Sequence, residues 1–456
     1  MSPAYVLARA AGALSRRLGR GGGTSLPGKL LLRWCPNAIR ELSAAVPAGS
    51  VVVSATNGKT TTARMLSACI RAGGHDLVTN RSGANLTSGV ATALLRADGR
   101  SAGSALGLFE VDEAALPAVA DQLRPRVILL MNLFRDQLDR YGELEELATR
   151  WRTMLDTLDM TTTVVLNADD PAVAALGDHH PGVVYFGIDD LAPGQADLPH
   201  AADSKRCRRC DAPLVYDHVY LGHLGHWRCD ECGWSRPVPT VSATRVAIDG
   251  LRGVDLEVAT PAGAVTARVM LPGLHNAYNA TAAVAAAWAL GVDTQAIGQA
   301  LAGSQAAFGR SERVVLNGRE ALLLLVKNPA GANETIRTVL LDPEPIDALV
   351  ALNDRTADGR DVSWIWDVDY EPLLARLRTV TVTGDRAFDL ALRFRYAGLP
   401  PERMQVIPNL KAAVDRAVAD TPEGRALYML PTYTAMLSLR QILVKRGAAE
   451  AFWRDV

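Results

Sequence analysis

The chain has 456 residues, a length that favours two or three domains over a single hydrophobic core. Its formal net charge is -1 and 21% of its residues are charged, so overall charge gives no argument for nucleic-acid binding. Apolar residues make up 48% of the chain, which is typical of a globular enzyme, and no stretch is long and apolar enough to span a bilayer.

The N-terminal segment, MSPAYVLARAAGALSRRLGRGGG, is basic and rich in alanine. Arg9 and Arg16 interrupt it, so it lacks the continuous apolar core of a secretory signal. We expect an amphipathic helix that either packs on the protein or makes peripheral contact with an anionic membrane. A second helical stretch is predicted from Leu26 to about Ala45, and residues 1–48 together are expected to form a helical segment packed on the central domain.

Residues 51–62, VVVSATNGKTTT, carry the pattern of a phosphate-binding loop. The valines predict a buried strand, a short loop follows, and Lys59 begins a helix. In this arrangement the backbone N–H groups face the phosphates, the lysine contacts the outer phosphates, and the Thr60 hydroxyl holds Mg²⁺. The pattern is incomplete, because Val53 stands where a glycine is usual, and a chance strand–helix turn is the alternative. The expected nucleotide-binding residues are Thr56, Asn57, Gly58, Lys59, Thr60 and Thr61.

Short apolar stretches then alternate with helical patterns, which predicts a mostly parallel α/β sheet. The predicted strands are 75–80, 105–110, 126–132 and 163–167. The second of them ends in an acidic run that contains Glu110, Asp112 and Glu113. Such sheets bind ligands at the carboxyl ends of their strands, where Glu110 is expected to act. For Asp112 and Glu113 a solvated acidic helix start is an equally good interpretation.

Four of the six cysteines form two CxxC pairs, with 18 residues between the pairs. This spacing predicts a zinc ribbon, in which four thiolates complete a tetrahedron and leave no open position for catalysis. The ribbon would occupy an insertion at about residues 200–240, where the α/β pattern is interrupted. His223 and His226 are expected to be packing or surface residues. The predicted zinc ligands are Cys207, Cys210, Cys229 and Cys232.

A second series of short apolar strands begins after residue 311 and predicts a C-terminal α/β domain over residues 311–456, so that residues 49–310 form the central domain. The predicted strands are 321–326, 347–352, 380–383, 404–406 and 426–430. Residues 354–367 concentrate four aspartates around Gly359 and two tryptophans. So many acids in a short loop are costly unless they serve charge, hydrogen bonding or contact.

Six motifs occur in the order and spacing of the Mur ligases, ATP-dependent enzymes that form amide bonds in peptidoglycan synthesis. They are ATNGKTTT, FEVDE, NLFRDQLDRYGE, LNADDP, GLHNAYN and FGRSER. The resemblance implies a Mur-ligase-like α/β fold with a central P-loop domain, and it implies use of ATP and Mg²⁺. It also implies that Glu110 is a second Mg²⁺ ligand beside Thr60, and that Asn276, Asn279 and Arg310 contact the nucleotide. Helix capping is the alternative for the two asparagines.

An amide does not form directly from a carboxylate, because oxide is a very poor leaving group, and transfer of the ATP γ-phosphate provides an acyl phosphate instead. Mur ligases that add amino acids commonly carry a carbamylated lysine that bridges a second Mg²⁺. Here Lys205 is the only lysine between Lys59 and Lys327, so that role is vacant. The family pattern DHLD also reads DQLD at residues 136–139. Both departures favour a nucleophile other than an amino acid.

The zinc ribbon, the absent lysine and the segments KNPAGANE and LNDRTADGRDVSWIWDVDYE resemble one branch of the family. In that branch the chain is the synthetase subunit of a heterodimer with a GatD-like glutamine amidotransferase, which frees ammonia. The resemblance implies amidation of the D-glutamate α-carboxylate of lipid II to D-isoglutamine, in the cytoplasm at the inner face of the plasma membrane. It further implies that Asp361 completes the partner's catalytic triad. Helix capping is the alternative for Asp361.

Trp364 and Trp366 are candidate anchors for that partner. The residues expected to carry the chemistry are then Lys59, Glu110 and Asp361. Two other functions stay open. One is an amino-acid-adding ligase of the Mur or folylpolyglutamate type, and the other is a non-catalytic zinc-ribbon scaffold that binds nucleotide or nucleic acid. A short cluster of arginines beside the first CxxC pair is weak support for nucleic acid on a neutral protein.

Overall fold

A computed structural model describes residues 3–17, 24–80, 83–98, 103–135, 144–199, 202–303 and 310–449, with the side chains of 13–17, 310 and 311 excepted. These residues form one α/β domain around a nine-stranded sheet and a second around a six-stranded sheet. The predicted α/β fold with mostly parallel sheets is confirmed. Among the described helices, none combines the length and the apolar character needed to cross a lipid bilayer.

The N-terminal segment forms three short helices and a 3-10 turn. They are α1 Pro3–Arg17, α2 Leu26–Trp34, α3 Ala38–Leu42 and the turn Ser43–Ala45. The single helical stretch predicted from Leu26 to about Ala45 is wrong, because Pro36 interrupts it. Proline lacks an N–H and disfavours a helical conformation of the residue before it, and Cys35 ends α2 with φ -131° and ψ 83°.

The central domain contains eleven strands and seven helices among the described residues. The strands are β1 Ser50–Ser54, β2 Leu77–Thr79, β3 Leu106–Glu110, β4 Val127–Leu130, β5 Thr163–Asn167, β6 Val183–Ile188, β7 Val215–Leu221, β8 Leu224–Arg228, β9 Val241–Asp249, β10 Gly253–Thr260 and β11 Gly263–Val269. The helices are α4 Lys59–Ala72, α5 Thr87–Ala97, α6 Leu116–Leu123, α7 Leu144–Asp156, α8 Pro171–Ala174, α9 Leu274–Ala289 and α10 Thr294–Ala302. Strands β7 and β8 form a separate antiparallel hairpin.

The large sheet has the strand order β11-β10-β9-β6-β5-β4-β1-β3-β2. Its strands run parallel from β2 to β9, and β10 and β11 are antiparallel additions at one edge. Strand β1 is buried on both faces, as expected of a parallel strand covered by helices on each side. Val51 and Val53 pack in one core with α4 and α9, whereas Val52 packs in the opposite core with α5.

The C-terminal domain has a six-stranded sheet with the order β12-β13-β17-β14-β15-β16, in which only the β12–β13 pair is antiparallel. The strands are β12 Arg310–Leu316, β13 Arg319–Leu324, β14 Ile346–Ala351, β15 Leu377–Thr383, β16 Met404–Val406 and β17 Leu427–Pro431. The helices are α11 Pro329–Val339, α12 Glu371–Arg376, α13 Ala387–Tyr396, α14 Leu410–Asp420 and α15 Tyr433–Lys445, with 3-10 turns Ser363–Asp367 and Pro401–Arg403. Asn328, directly before α11, forms hydrogen bonds with Asn57 of the central domain, so the start of α11 lies against that domain.

Candidate active site and zinc centre

The predicted phosphate loop joins β1 to α4 at the carboxyl end of the central strand. Strand β1 lies between β3 and β4, so the loop is at the crevice where parallel sheets bind ligands. Gly58 has φ +90°, in the left-handed region that favours glycine. A Cβ on Gly58 would also lie 2.2 Å from Asn279 Oδ1. Glycine is thus required here both by the turn and by the close approach of α9.

Asn132, just beyond β4, holds the phosphate loop in place. Its Oδ1 accepts a hydrogen bond from Asn57 N at 2.9 Å, and its Nδ2 donates to Asn57 O at 3.0 Å. The Thr56 N–H donates to the Asn132 carbonyl at 3.1 Å, and the Phe134 N–H donates to Thr56 Oγ1 at 3.0 Å. The sequence contained Asn132 within a family motif, but its role as a support of the loop was not predicted.

Thr60 and Glu110, the two residues predicted to hold Mg²⁺, lie side by side. The Thr60 hydroxyl donates to Glu110 Oε1 at 2.9 Å, and both side chains are buried. Asn80 fixes the backbone of Glu110 from both sides, because its Oδ1 accepts from Glu110 N at 3.0 Å and its Nδ2 donates to Glu110 O at 2.7 Å. A hydroxyl and a carboxylate are hard oxygen donors, so this pair fits a Mg²⁺ ion.

Lys59 forms a buried ion pair with Glu113, its Nζ lying 2.7 Å from Oε2. Burial acts to lower the pKa of Lys59, but the charge of Glu113 and its hydrogen bond outweigh burial and the pKa is raised. Burial likewise acts to raise the pKa of Glu113, but Lys59 and then Lys327 lower it below its usual value. Both groups are therefore charged. The interpretation of Asp112 and Glu113 as a solvated helix start is wrong, since they are 9% and 6% exposed.

Asn276 and Asn279 lie in the first turns of α9 beside the phosphate loop. Asn279 Nδ2 donates to Asn276 Oδ1 at 3.0 Å, and Thr62 donates to Asn279 Oδ1 at 3.3 Å. The N-cap position of α9 is taken by Gly273, and no side chain caps this helix end. The alternative of helix capping for the two asparagines is therefore wrong. Both are buried next to Gly58 and line the cleft beside the predicted phosphate loop.

A cavity between the two domains continues from the phosphate loop. Both domains line it, and among its lining residues are Asn57, Gly58, Thr61, Asn276, Asn279 and Glu334. Burial raises the pKa of Glu334, although Arg337 Nη1 lies 3.0 Å from its carboxylate. Asn328 spans the cleft, donating to Asn57 Oδ1 at 3.1 Å and accepting from Asn57 Nδ2 at 3.3 Å. The cleft thus joins the predicted phosphate site to side chains of the C-terminal domain.

Two predicted site segments lie partly outside the described residues. Arg310 begins β12, but its side chain is not described, and residues 304–309 of the FGRSER motif also fall outside. The same holds for residues 136–143, which contain the DQLD departure.

The four predicted zinc ligands converge in one cluster, with all four Sγ atoms within 4.8 Å of one another. Cys207 Sγ lies 3.6 Å from Cys232 Sγ, and Cys210 Sγ lies 3.5 Å from Cys229 Sγ. Thiolates on a tetrahedral zinc with Zn–S bonds of about 2.3 Å are separated by about 3.8 Å. The donor set therefore fits a closed, structural zinc site. Within the described residues, neither His223 nor His226 belongs to the cluster.

The ribbon is fixed to the central domain by aromatic and charged contacts. Trp227 Nε1 donates to the Ala168 carbonyl at 3.1 Å, in the LNADDP motif, and its ring lies 4.4 Å from that of Trp234. Each arginine of the basic cluster pairs with a carboxylate. These pairs are Arg206–Asp211, Arg208–Glu145 and Arg209–Asp178. The cluster thus makes local contacts rather than presenting an uncompensated basic surface.

Asp361 is exposed, and its Oδ1 accepts a hydrogen bond from Ser363 N at 2.8 Å. That backbone hydrogen bond lowers the pKa of Asp361. This contact is an Asx turn just before the 3-10 turn Ser363–Asp367, whose N-cap position is Val362, and Asp361 is exposed at the surface. Trp366 is 48% exposed nearby, and its ring lies 5.6 Å from that of Tyr396. Trp364 is instead partly buried against the core of the C-terminal domain.

The fold resembles that of two solved structures. The first is a pseudomurein peptide ligase type C from Methanothermus fervidus, with a TM-score of 0.69 and 22% identity, covering 87% of this chain and 79% of that one. The second is Mycobacterium tuberculosis folylpolyglutamate synthase complexed with ADP and AMPPCP, with a TM-score of 0.59 and 17% identity, covering 90% of this chain and 95% of that one. These two likenesses concern the fold.

Sequence comparison gives a narrower result. The Mur ligase middle domain matches residues 53–211 and the MurT ligase C-terminal domain matches residues 325–436. The lipid II isoglutaminyl synthase (glutamine-hydrolyzing) subunit MurT of Streptococcus pneumoniae (strain ATCC BAA-255 / R6) is 35% identical over 94% of each chain. The subunit of that name from Staphylococcus aureus (strain N315) is 29% identical over 96% of each chain. The chain therefore belongs to the MurT family of Mur-ligase-like proteins.

Proposed function

We propose that this protein is the ATP-dependent synthetase subunit of a lipid II isoglutaminyl synthase. The observation that carries the proposal is the convergence of Lys59, Thr60 and Glu110 at one end of the sheet, in a chain similar to MurT relatives over 94% of its length. The substrate is the D-glutamate α-carboxylate of the lipid II stem peptide, and the product is D-isoglutamine.

In the first step the substrate carboxylate oxygen attacks the γ-phosphorus of ATP. The bond from that phosphorus to the β–γ bridging oxygen breaks, which releases ADP and leaves an acyl phosphate. Lys59 holds the outer phosphates, and the loop that contains Gly58 surrounds them with backbone N–H groups. Thr60 and Glu110 would hold Mg²⁺, which would neutralise phosphate charge there. Asn276, Asn279 and Arg310 contact the rest of the nucleotide in the cleft.

In the second step ammonia attacks the carbonyl carbon of the acyl phosphate. The carbon–oxygen bond to phosphate breaks, inorganic phosphate leaves, and loss of a proton from nitrogen gives the amide. A lysine that bridges a second Mg²⁺ serves amino-acid-adding Mur ligases, but Lys205, the only lysine between Lys59 and Lys327, lies in the zinc ribbon, where its carbonyl accepts from Leu214 N. This placement supports ammonia as the nucleophile.

The ammonia is supplied by a GatD-like glutamine amidotransferase that binds the C-terminal domain. Asp361 is exposed, and its Oδ1 accepts a hydrogen bond from Ser363 N, so the carboxylate can also accept the N–H of a partner imidazole. In that contact it would orient and stabilise the partner's histidine. Trp366, half exposed on the same turn, supplies apolar contact area to the interface.

The zinc ion is structural in this proposal. The four thiolates complete its coordination, so it organises the ribbon and takes no part in the transfer. The substrate is lipid-linked, and the reaction consumes ATP and glutamine. The protein therefore works in the cytoplasm at the inner face of the plasma membrane.

An isotope experiment tests the acyl phosphate directly. Lipid II is labelled with ¹⁸O in the D-glutamate α-carboxylate and incubated with ATP, Mg²⁺ and ammonium. We expect one labelled oxygen to appear in the inorganic phosphate for each amide formed. Amide formation with unlabelled phosphate would contradict the mechanism. ADP release that depends on an amino acid but not on ammonia would instead favour an amino-acid-adding ligase.

A further inference from the structure

The outer faces of α1 and α2 expose large apolar side chains. Val6 and Leu7 on α1 are 56% and 55% exposed, and Leu26 and Trp34 on α2 are 45% and 51% exposed. Single exposed apolar residues are common, but here four of them lie on two helices that pack against each other. Tryptophan among aliphatic residues is typical of a surface that contacts the interfacial region of a lipid bilayer.

The charge of this segment is one-sided. Residues 1–48 contain seven basic residues and one acidic residue, Glu41, although the whole chain carries a net charge of -1. Arg9 pairs with Asp98 at 2.7 Å, and Arg40 pairs with Asp121 at 3.1 Å. Lys29 and Arg33 are exposed on α2, within one or two turns of Leu26 and Trp34. Basic side chains next to exposed apolar ones are complementary to a membrane that contains anionic lipids.

The two helices are fixed to the protein by their opposite faces, so the exposed apolar face is not a result of loose packing. Gly28 N donates to Thr92 Oγ1 at 2.9 Å, and a Cβ on Gly28 would lie 1.9 Å from the Ser88 carbonyl oxygen. Helix α2 therefore lies in close contact with α5. On α1, Tyr5 and Ala8 are buried in the hydrophobic core to which α5 also contributes.

This layer is close to the catalytic end of the sheet. Ser88, which Gly28 contacts, lies in the first turn of α5. The loop before α5 supports the acidic strand end, because Asn85 O accepts from Asp112 N at 2.9 Å and Asn80 brackets the backbone of Glu110. A surface on α1 and α2 is thus separated from the proposed magnesium site by one helix and its preceding loop.

We infer that the outer faces of α1 and α2 dock the protein onto an anionic lipid bilayer. The choice of a bilayer over an acidic protein rests on the proposed function, since a lipid-linked substrate presents its peptide at a membrane surface. Docking through this face would bring the protein to the membrane surface at which the lipid-linked substrate presents its peptide.

The test is flotation of the full-length protein with vesicles that contain no lipid II. One set contains phosphatidylglycerol in phosphatidylcholine, and the other contains phosphatidylcholine alone. We expect binding to the anionic vesicles, weaker binding at high salt, and little binding to the neutral ones. Leu7→Glu and Trp34→Glu should each weaken binding by about tenfold or more. Val238→Glu is the matched control, because Val238 is 88% exposed in another part of the chain, and it should bind like wild type.

Absence of wild-type binding to anionic vesicles would overturn the inference. Equal vesicle binding by the wild type, Leu7→Glu and Trp34→Glu would also overturn it. A third contradicting result is a wild-type dimer that does not bind vesicles and that both substitutions dissociate, because the apolar face would then contact a second copy of the chain. Thermal unfolding of each variant checks that the fold is intact. Amidation of lipid II in detergent, measured on the wild type, reports on the proposed function alone. Vesicle binding without that amidation would leave the docking surface standing and reject the proposed function.

Discussion

The Lys59 ammonium lies 2.7 Å from the Glu113 carboxylate, and both side chains are almost completely buried. Lys59 begins α4, whereas Glu113 follows β3, so the pair joins two adjacent strands of the sheet at their carboxyl ends. Trp151 Nε1 donates to the Glu113 carbonyl at 2.9 Å and fixes the acid from the other side. The lysine is therefore held charged and in place beside the predicted phosphate loop.

Replacing the lysine tests its role in catalysis. Lys59→Ala removes the positive charge expected to contact the outer phosphates, and amidation should fall by at least about 10²–10³-fold. Glu113 would then be buried without its partner, so thermal unfolding must be measured alongside turnover. Lys29→Ala removes an exposed lysine distant from the loop and is the matched control in detergent assays. Turnover by folded Lys59→Ala within a few-fold of wild type would contradict this role.

Glu113 is a positioning residue whose loss should change a pH profile. In Glu113→Gln the main group that raises the Lys59 pKa is gone, so burial should lower that pKa. The alkaline fall of kcat/KM should then move to lower pH, an effect that a general loss of stability would not produce. Glu146→Gln, which breaks an exposed pair with Arg150, is the control. If kcat/KM of Glu113→Gln falls at the same alkaline pH as that of the wild type, the positioning role is rejected.

The Lys59–Glu113 pair also predicts how the free energy of unfolding changes with pH. The folded-state pKa of Glu113 is below its ordinary value of 4.5, so the stabilisation is present above that pH and is lost as pH falls through the lowered value. The folded-state pKa of Lys59 is above 10.5, so the stabilisation is complete below that pH and is lost as pH rises through the raised value. Breaking a buried pair costs about 3–5 kcal/mol. The difference in unfolding free energy between wild type and Glu113→Gln should therefore be constant from about pH 5 to pH 10 and shrink in acid. A difference that grows in acid would contradict this assignment.

Asn328 should couple ATP binding to the position of the C-terminal domain. Its Oδ1 caps α11 by accepting from Gly331 N at 2.8 Å, and its Nδ2 donates to Asn57 in the phosphate loop. Asn328→Asp keeps the cap but loses the donor and adds a negative charge beside the triphosphate site. We expect the KM for ATP to rise about tenfold with little change in Tm. Asn409→Asp, at the cap of α14, is the matched control. An unchanged KM in Asn328→Asp would reject the coupling.

The cysteine cluster should contain one zinc ion per chain. Cys207→Ser removes a buried ligand, and the zinc content should fall while the free energy of unfolding drops by more than about 4 kcal/mol. Cys35→Ser, outside the cluster, should keep the metal. Elemental analysis of protein purified with zinc present checks the first claim, and denaturant unfolding checks the second. A zinc-free wild type with normal stability would contradict the ribbon.

Sequence patterns predicted the parts of the site that are local in the chain. A strand of valines, a loop with glycine and a lysine at a helix start specify the phosphate loop over a dozen consecutive residues, and the CxxC spacing specifies the four thiolates. Alternating strands and helices specify the parallel sheet, in which β1 pairs with β3 and so brings Thr60 to Glu110.

Other contacts between distant parts of the chain were not predicted. Asn132 and Asn57 are separated by 75 residues, and Glu113 and Lys59 by 54, so no local spacing identifies them as partners. An acidic run after a strand is compatible with either solvent or burial, and only the folded sheet shows that Glu113 faces Lys59. The break between α2 and α3 could have been predicted locally from Pro36, but the predicted helix ran through that residue.

The role of Asp361 is separable from that of the amidating site. Asp361→Asn should leave ammonia-driven amidation near wild type but strongly reduce glutamine-driven amidation in the presence of the glutaminase partner. Asparagine keeps an oxygen acceptor for Ser363 N, so any effect on the stability of this turn should be small and should act equally on both assays. Asp354→Asn, in the same acidic segment, is the control. Equal loss in both assays would remove Asp361 from the triad.

The central claim is that this chain itself amidates lipid II with ammonia, and one measurement addresses it most directly. Purified protein is incubated with ATP, Mg²⁺, lipid II in detergent and increasing ammonium, without any glutaminase, and the stem peptide is analysed by mass spectrometry. We predict ammonium-dependent conversion of D-glutamate to D-isoglutamine with matching ADP release. No amidated product at any ammonium concentration, from protein with an intact fold, would contradict the account.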